Sequence, residues 1–309
     1  MNRSAVVFAY GDIGIRCIQV LLAGGVNIRL VVTHEDDPRE TRWYGSVAEL
    51  AAEYSLPCIA PGSADASALL EQVRSQQCDF IFSFYYRLML PAELLACAGT
   101  GAFNMHGSLL PRFRGRAPLN WAIVRGARET GATLHHMVER ADAGDVVDQF
   151  AVPILPDDDA LAVFRKITVA AELVLARSLP KLIDGTAARV PQRLDQGEYC
   201  GRRTPDDGRI DWSKPAREIH DLVRAVAPPF PGAFTEILGE RWNIHRTRVI
   251  AERAMPSRQA ALMNAHEGKC VVTCIDGSLL HIIAAERARR PLGLADLVGR
   301  LAHSPLALA

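Results

Sequence analysis

Apolar residues in the first half of the chain arrive in short blocks separated by turn signals. Residues Ser4 to Tyr10 form a continuous apolar run that stops at Gly11-Asp12-Ile13-Gly14. That length suits a strand buried on both faces. From Ile15 the apolar positions Ile15, Ile18, Leu21 and Leu22 recur at helical spacing. Strand, tight turn and helix open a doubly wound fold. The alternation continues with strands at Ile28–Thr33, Asp79–Tyr85, Ala102–His106 and Thr133–Val138. Helices are predicted at Val47–Tyr54, Ala66–Gln76, Pro91–Cys97, Trp121–Arg125 and about 160–184, and a charged loop at His34 to Arg42. Strands that alternate with helices imply a mostly parallel sheet.

The texture changes after Gly185. Residues 186–208 carry Gly, Pro, Arg and Asp without periodicity and read as a connector. A helix at Ala216–Ala225 and a Pro-rich turn follow, then strand-like pieces at Ala233–Leu238, Trp242–Val249, Lys269–Ile275 and Leu279–Ala284. Short strands separated by turns predict a small β-barrel. The expected division is 1–200 and 201–309.

Bulk properties narrow the function classes. The chain has 309 residues, enough for two domains, with 49% hydrophobic and 23% charged content. Its 35 basic residues equal its 35 acidic ones, a balance that argues against a polyanion as main partner. The segment from 200 to 309 has only a mild excess, 16 Lys and Arg against 12 Asp and Glu. The N-terminus enters a strand directly, without a signal core or a membrane-length apolar run, so the expectation is a cytoplasmic protein with no membrane insertion. Seven dispersed cysteines read as reduced thiols. Cys270 and Cys274 lack a second ligand pair, so no zinc is expected.

The chemistry concentrates in Asn104-Met105-His106-Gly107-Ser108-Leu109-Leu110-Pro111 and, further on, Asp142-Ala143-Gly144-Asp145. Asn104 and His106 are two apart at a strand end, so they share a face. Ligands of doubly wound sheets bind beyond such ends. An amide can donate to a developing oxyanion, an imidazole moves protons near neutral pH, and a carboxylate would hold the ring and raise its pKa. This set suits acyl transfer without a nucleophilic side chain. The plainer readings are a turn at Asp142 and packed or hydrogen-bonded roles for His135 and His136, beside Met137. Gly11-Asp12-Ile13-Gly14 lacks the third glycine of a dinucleotide fingerprint and reads as a tight turn. Asp157-Asp158-Asp159 reads as a helix cap, and Arg112, Arg114 and Arg116 as either a solvated loop or a phosphate grip.

The Asn104-x-His106-x-Ser108-Leu109-Leu110-Pro111 pattern with the later Asp142-x-Gly144 resembles the N10-formyltetrahydrofolate-dependent formyltransferases. Longer runs resemble the branch that acts on UDP-4-amino-4-deoxy-L-arabinose, the formyltransferase half of bifunctional polymyxin-resistance enzymes. These runs are Val7-Phe8-Ala9-Tyr10, Thr33-His34, Tyr44-Gly45-Ser46-Val47-Ala48, Phe82-Ser83-Phe84-Tyr85-Tyr86-Arg87, Arg114-Gly115-Arg116-Ala117-Pro118-Leu119-Asn120-Trp121, Arg140-Ala141-Asp142-Ala143-Gly144 and Gly201-Arg202-Arg203-Thr204-Pro205-Asp206-Asp207. The likeness fades after about Phe234.

The resemblance implies a Rossmann-like catalytic domain followed by an OB-like one. N10-formyltetrahydrofolate would be co-substrate, lying beside Leu88, Met89 and Leu90 with Val138, Glu139, Arg140, Ala141 and Asp142 opposite. Asn104, protonated His106 and Asp142 would be catalytic, and Arg116, with Arg203 second, would grip a small nucleotide-sugar acceptor. Since the chain ends at Ala309, the dehydrogenase-decarboxylase activity is expected on a separate polypeptide. No nucleic-acid partner is expected. The alternatives are methionyl-tRNA formylation, another nucleotide-linked amino sugar as acceptor, and a non-catalytic folate or nucleotide-sugar binding module.

Overall fold

The computed structural model describes residues 3–35, 42–61, 66–237, 239–252, 259–288, 290–301 and 304–308. Most of the charged loop expected between His34 and Arg42, and Leu238 at one strand end, lie outside them. The chain forms two compact units. Unit 1 comprises Met1–Pro118, Glu129–Pro153 and Arg165–Gly201; unit 2 comprises Leu119–Arg128, Ile154–Phe164 and Arg202–Ala309. Among the described residues no helix is long and apolar enough to cross a membrane.

In chain order the elements of the amino-terminal half are β1 (Ser4–Ala9), α1 (Gly11–Ala23), β2 (Asn27–Val32), α2 (Val47–Glu53), β3 (Cys58–Ile59), α3 (Ala66–Ser75), β4 (Phe80–Phe84), α4 (Ala92–Leu95), β5 (Gly101–His106), β6 (Arg114–Gly115), α5 (Pro118–Val124), β7 (Glu129–His136) and β8 (Val146–Pro153). Then come α6 (Ala160–Ile183), β9 (Tyr199–Cys200), α7 (Ala216–Ala225), β10 (Ala233–Ile237), β11 (Glu240–Ala251), β12 (Ala261–His266), β13 (Lys269–Thr273), β14 (Leu279–Arg287), β15 (Arg290–Pro291), α8 (Leu294–Leu301) and β16 (Leu306–Leu308).

The sheet of unit 1 has the order β3-β2-β1-β4-β5-β7-β8. The pairings from β3 through β5 are parallel, while β5–β7 and β7–β8 are antiparallel. This is the doubly wound, mostly parallel sheet that the alternation predicts. Every residue of β1 and β4 is buried, which is why both read as unbroken apolar runs. Parallel register places Phe82 beside Phe103 and Phe84 beside Met105, on one face. There Phe82 stacks on Phe84 and on Phe103, whose centroid is 5.7 Å away, and Phe80 meets Phe82 tilted and Phe103 edge-on. Each such buried ring contributes about 1.5–3 kcal/mol. The opposite face begins apolar, with Val6, Phe8, Ile81 and Ala102 in one cluster. It turns polar one register step on, where Ser83 lies beside Asn104. Salt bridges from Arg177 to Asp148 and from Arg16 to Glu172 fasten α6 to β8 and α1.

Unit 2 is built on an antiparallel, barrel-like sheet in the order β10-β11-β14-β13-β12-β16, with β15 on β14. Irregular register in β11 at Ile244–Thr247 and Val249–Ala251 bends that long strand. Helix α7 packs on β11, with His220 Nδ1 3.0 Å from Thr247 Oγ1. Its Arg224–Asp221 pair, 2.7 Å apart, is buried, and the guanidinium also donates to the carbonyls of Leu155 and Asp158. Asp159 caps α6 through the Ala162 N–H, the role expected of that acidic run. β12, β16 and α8 are elements that the periodicity did not show.

Candidate active site

Asn104 and His106 occupy alternate positions of β5, both on the face that becomes polar beyond the apolar cluster. Antiparallel pairing with β7 puts His135 directly opposite Asn104, and Thr133 opposite His106. Directly paired residues have Cβ atoms about 4.5–5.5 Å apart, so the strand register alone brings Asn104 and His135 into contact. Asn104 Nδ2 lies 3.1 Å from His135 Nε2.

Asp142 arrives from the loop after β7, at φ 52°, a conformation that short polar residues tolerate better than most. Its Oδ2 accepts the Gly115 N–H at 2.9 Å. Its Oδ1 lies 3.4 Å from Asn104 Nδ2, 3.5 Å from His106 Nδ1 and 3.6 Å from His135 Nε2. The other ring nitrogen of His106 donates to the Phe113 carbonyl, 2.9 Å away. The structure thus brings Asn104, His106 and Asp142 together. It adds His135, to which the sequence reading gave a packed or hydrogen-bonded role and no part in the cluster. The available signal was the pairing of two strands, which one strand's own periodicity does not carry.

Electrostatics correct one expectation. His106 is only 6% exposed. Burial lowers its pKa, and the nearby Asp142 carboxylate and Phe113 carbonyl offset that only in part. The ring was expected to be raised and protonated; desolvation wins instead, so the resting imidazole is neutral. Burial alone would raise Asp142. The charged form of His106 and the Gly115 N–H outweigh it and hold the carboxyl well below the usual range. The two groups titrate as a pair, because the form of His106 that favours ionised Asp142 is the form that burial disfavours.

The loop after β5 is stapled down. Ser108 Oγ donates to the Arg112 carbonyl, and the Ser108 carbonyl accepts the Thr133 hydroxyl. Gln149 Nε2 donates to the Leu110 carbonyl and to Thr133 Oγ1. Gly107 must be glycine here, since a Cβ would fall 1.8 Å from the Tyr85 hydroxyl oxygen.

The three loop arginines separate into different roles. Arg114 is buried and donates to the carbonyls of Leu194 and Gly197. Arg112 lies over the Phe113 ring and near Glu129. Arg116 is exposed, its N–H bonded to the Cys200 carbonyl, and among the described residues its guanidinium has no partner. In unit 2, Arg203 lies 4.8 Å from the Trp121 ring centre and donates to the Asp207 carbonyl. Among the described residues its Nε is buried without a partner, and burial lowers its pKa.

Leu88, Met89 and Val138 are large apolar side chains left 53%, 61% and 42% exposed. Their neighbours Leu90 and Met137 pack on one cluster, which contains Ile81 and Ala102. Glu139 and Arg140 are exposed, and Ala141 is half-buried. A second group of rings sits at the ends of β1, β2 and β4. His34 stacks on Tyr86 at 4.1 Å, the Tyr10 and Tyr44 hydroxyls are 2.7 Å apart, and Arg87 lies over Tyr10. Burial and the Arg87 charge push His34 down to about 4. Among the described residues no group of three His, Cys, Asp or Glu side chains could hold a metal ion.

Known proteins match both halves of the chain. The family described as formyl transferase matches residues 4–179, and its C-terminal domain matches 202–300. Solved structures share the fold at low identity. An N-formyltransferase from Helicobacter canadensis, in complex with folinic acid and dTDP-3-aminofucose, is 19% identical, with a TM-score of 0.71 over 91% of this chain and 99% of its own. The sugar 3N-formyl transferase WlaRD, solved in the presence of dTDP and 5-N-formyl-THF, is 17% identical, with a TM-score of 0.71 over 94% and 99%. A 4-N formyltransferase from Francisella tularensis is 19% identical, with a TM-score of 0.63 over 77% and 95%.

Proposed function

We propose that this chain, which belongs to the formyl transferase family, carries a formyl group from N10-formyltetrahydrofolate to the 4-amino group of UDP-4-amino-4-deoxy-L-arabinose. The observation that carries the reading is the cluster of Asn104, His106 and Asp142 around one point, with no nucleophilic side chain among the three. Two similar structures, one solved with folinic acid and dTDP-3-aminofucose and the other with 5-N-formyl-THF and dTDP, support the donor and the class of acceptor. The arabinose nucleotide rests on the runs that resemble the formyltransferase half of ArnA. On that reading the product feeds lipid A modification and polymyxin resistance, and the protein works in the cytoplasm. Residues 1–200 would hold the chemistry and 201–309 would form an accessory domain.

The amine nitrogen attacks the formyl carbon and forms a tetrahedral intermediate with a negative oxygen. The Asn104 N–H that reaches Asp142 at 3.4 Å is long and weak. It is therefore free to turn to the stronger acceptor, the developing oxyanion. Neutral His106 takes the amine proton at Nδ1, where the resulting imidazolium meets Asp142; Nε2 keeps its bond to Phe113. The C–N10 bond then breaks, and His106 returns the proton to N10. The apolar Leu88, Met89 and Val138 suit the flat, largely apolar donor. Arg116, exposed and without a guanidinium partner among the described residues, suits an acceptor diphosphate; Arg203 is a weaker, separate candidate.

Methionyl-tRNA formylation would use the same chemistry, but a net charge of zero does not favour it. The test is formyl transfer to UDP-4-amino-4-deoxy-L-arabinose, with Met-tRNA and a dTDP-linked amino sugar run beside it. Turnover with the arabinose nucleotide alone is expected. Turnover with another acceptor alone would keep the reaction and discard the sugar.

A further inference from the structure

We propose that His135 is a positioning residue, whose Nε2 lone pair fixes the orientation of the Asn104 carboxamide. This rests on the formyl-transfer reading. His135 is buried, with Nδ1 2.8 Å from the His136 carbonyl oxygen. A carbonyl only accepts, so Nδ1 carries the proton. In the neutral ring Nε2 is then an acceptor, and it faces Asn104 Nδ2 at 3.1 Å. An imidazolium would instead need to donate from Nε2 to Asp142 Oδ1, at 3.6 Å too far for a hydrogen bond.

The consequence falls on Asn104. A carboxamide can turn over and exchange its oxygen for its NH2, and only one orientation gives donors to an oxyanion. With one N–H committed to His135, the NH2 edge is held toward Asp142 and the second N–H stays available to the reaction. With the amide turned, its oxygen would face both the His135 lone pair and the Asp142 carboxylate, two repulsive contacts. His135 thus acts on the reaction through Asn104.

The experiment compares His135→Leu, which removes the acceptor, with His135→Gln, which keeps one at the ε position, in wild-type and Asn104→Ala backgrounds. Thermal melts confirm that each variant is folded. His135→Leu is expected to lower kcat by about 10- to 100-fold, part of the value of an oxyanion donor, with both KM values within about 3-fold. His135→Gln recovers kcat to within about 5-fold of wild type, and in the Asn104→Ala background His135→Leu costs less than about 2-fold further. Equal losses in both backgrounds, or no recovery with glutamine, would overturn the assignment. Nitrogen-15 NMR of the wild-type protein reads the tautomer without any turnover. An Nδ1-protonated neutral His135 supports the orientation even if no acceptor is formylated; protonation at Nε2 refutes it.

Discussion

Replacing Asp142 by asparagine removes a charge while keeping an oxygen for the Gly115 N–H. The carboxylate lies 3.5 Å from His106 Nδ1, and the two side chains are only 14% and 6% exposed, so solvent screens little. At an effective dielectric near 20, an imidazolium and a carboxylate at that distance attract by about 5 kcal/mol. Measured shifts from close opposite charges are smaller, about 1–3 pKa units, or ten- to a thousandfold in rate if the charged ring forms in the transition state. Asp142→Asn should therefore lower kcat about 10²-fold, with the donor KM nearly unchanged. The pH profile adds a sign. Wild-type His106 works as a base, so kcat falls as pH drops through its pKa, which burial sets below the ordinary value. Loss of the carboxylate disfavours the imidazolium further and moves that limb to lower pH. Steady-state kinetics from pH 5 to 9 measure both effects. A limb that moves to higher pH, or an unchanged kcat, would refute the reasoning.

Other expectations are independent. Asn104→Ala should cost about 10²–10³-fold in kcat and leave folate binding intact, as equilibrium titration would measure. Arg116→Ala should raise the acceptor KM about 10-fold with kcat within about 3-fold; an unchanged acceptor KM would remove Arg116 from the acceptor site. Gly107→Ala should lower stability by about 1–3 kcal/mol in thermal unfolding, partly recovered by Tyr85→Phe, because the Cβ meets the Tyr85 hydroxyl first. Both members of the buried pair should make wild type sensitive to acid. Asp142, held low in the fold, stabilises above about pH 4 and loses that as pH falls further; His106, held low, loses stability below about pH 6.5. The stability gap between wild type and Asp142→Asn should close below about pH 4 in urea titrations.

How much of this was legible in the sequence depends on how local the signal was. β1 and β4 are buried on both faces and announced themselves as unbroken apolar runs. The shared face of Asn104 and His106 follows from the two-residue period of a strand. What was hidden is what crosses between elements. His135 joins the cluster only through the antiparallel register of β5 and β7, and β7 itself reads as an ordinary strand. Arg114 looked like its neighbours Arg112 and Arg116, yet it is buried against carbonyls some eighty residues away. Asp145 and Asp148 pair with Arg189 and Arg177, again from distant segments. The pKa of His106 was misjudged because a carboxylate neighbour is visible in a motif, whereas the extent of burial is a property of the whole fold.

The central claim is that the Asn104, His106 and Asp142 cluster performs direct formyl transfer. Its most direct test is the transfer of formyl from N10-formyltetrahydrofolate to UDP-4-amino-4-deoxy-L-arabinose by wild type and His106→Ala, under single-turnover conditions with folate binding measured in parallel. Wild type should transfer, and the variant should bind folate yet be slower by at least about 10²-fold, the usual value of a positioned acid–base group. Undiminished transfer by the variant, or folate binding without transfer to any amine by wild type, would contradict the account.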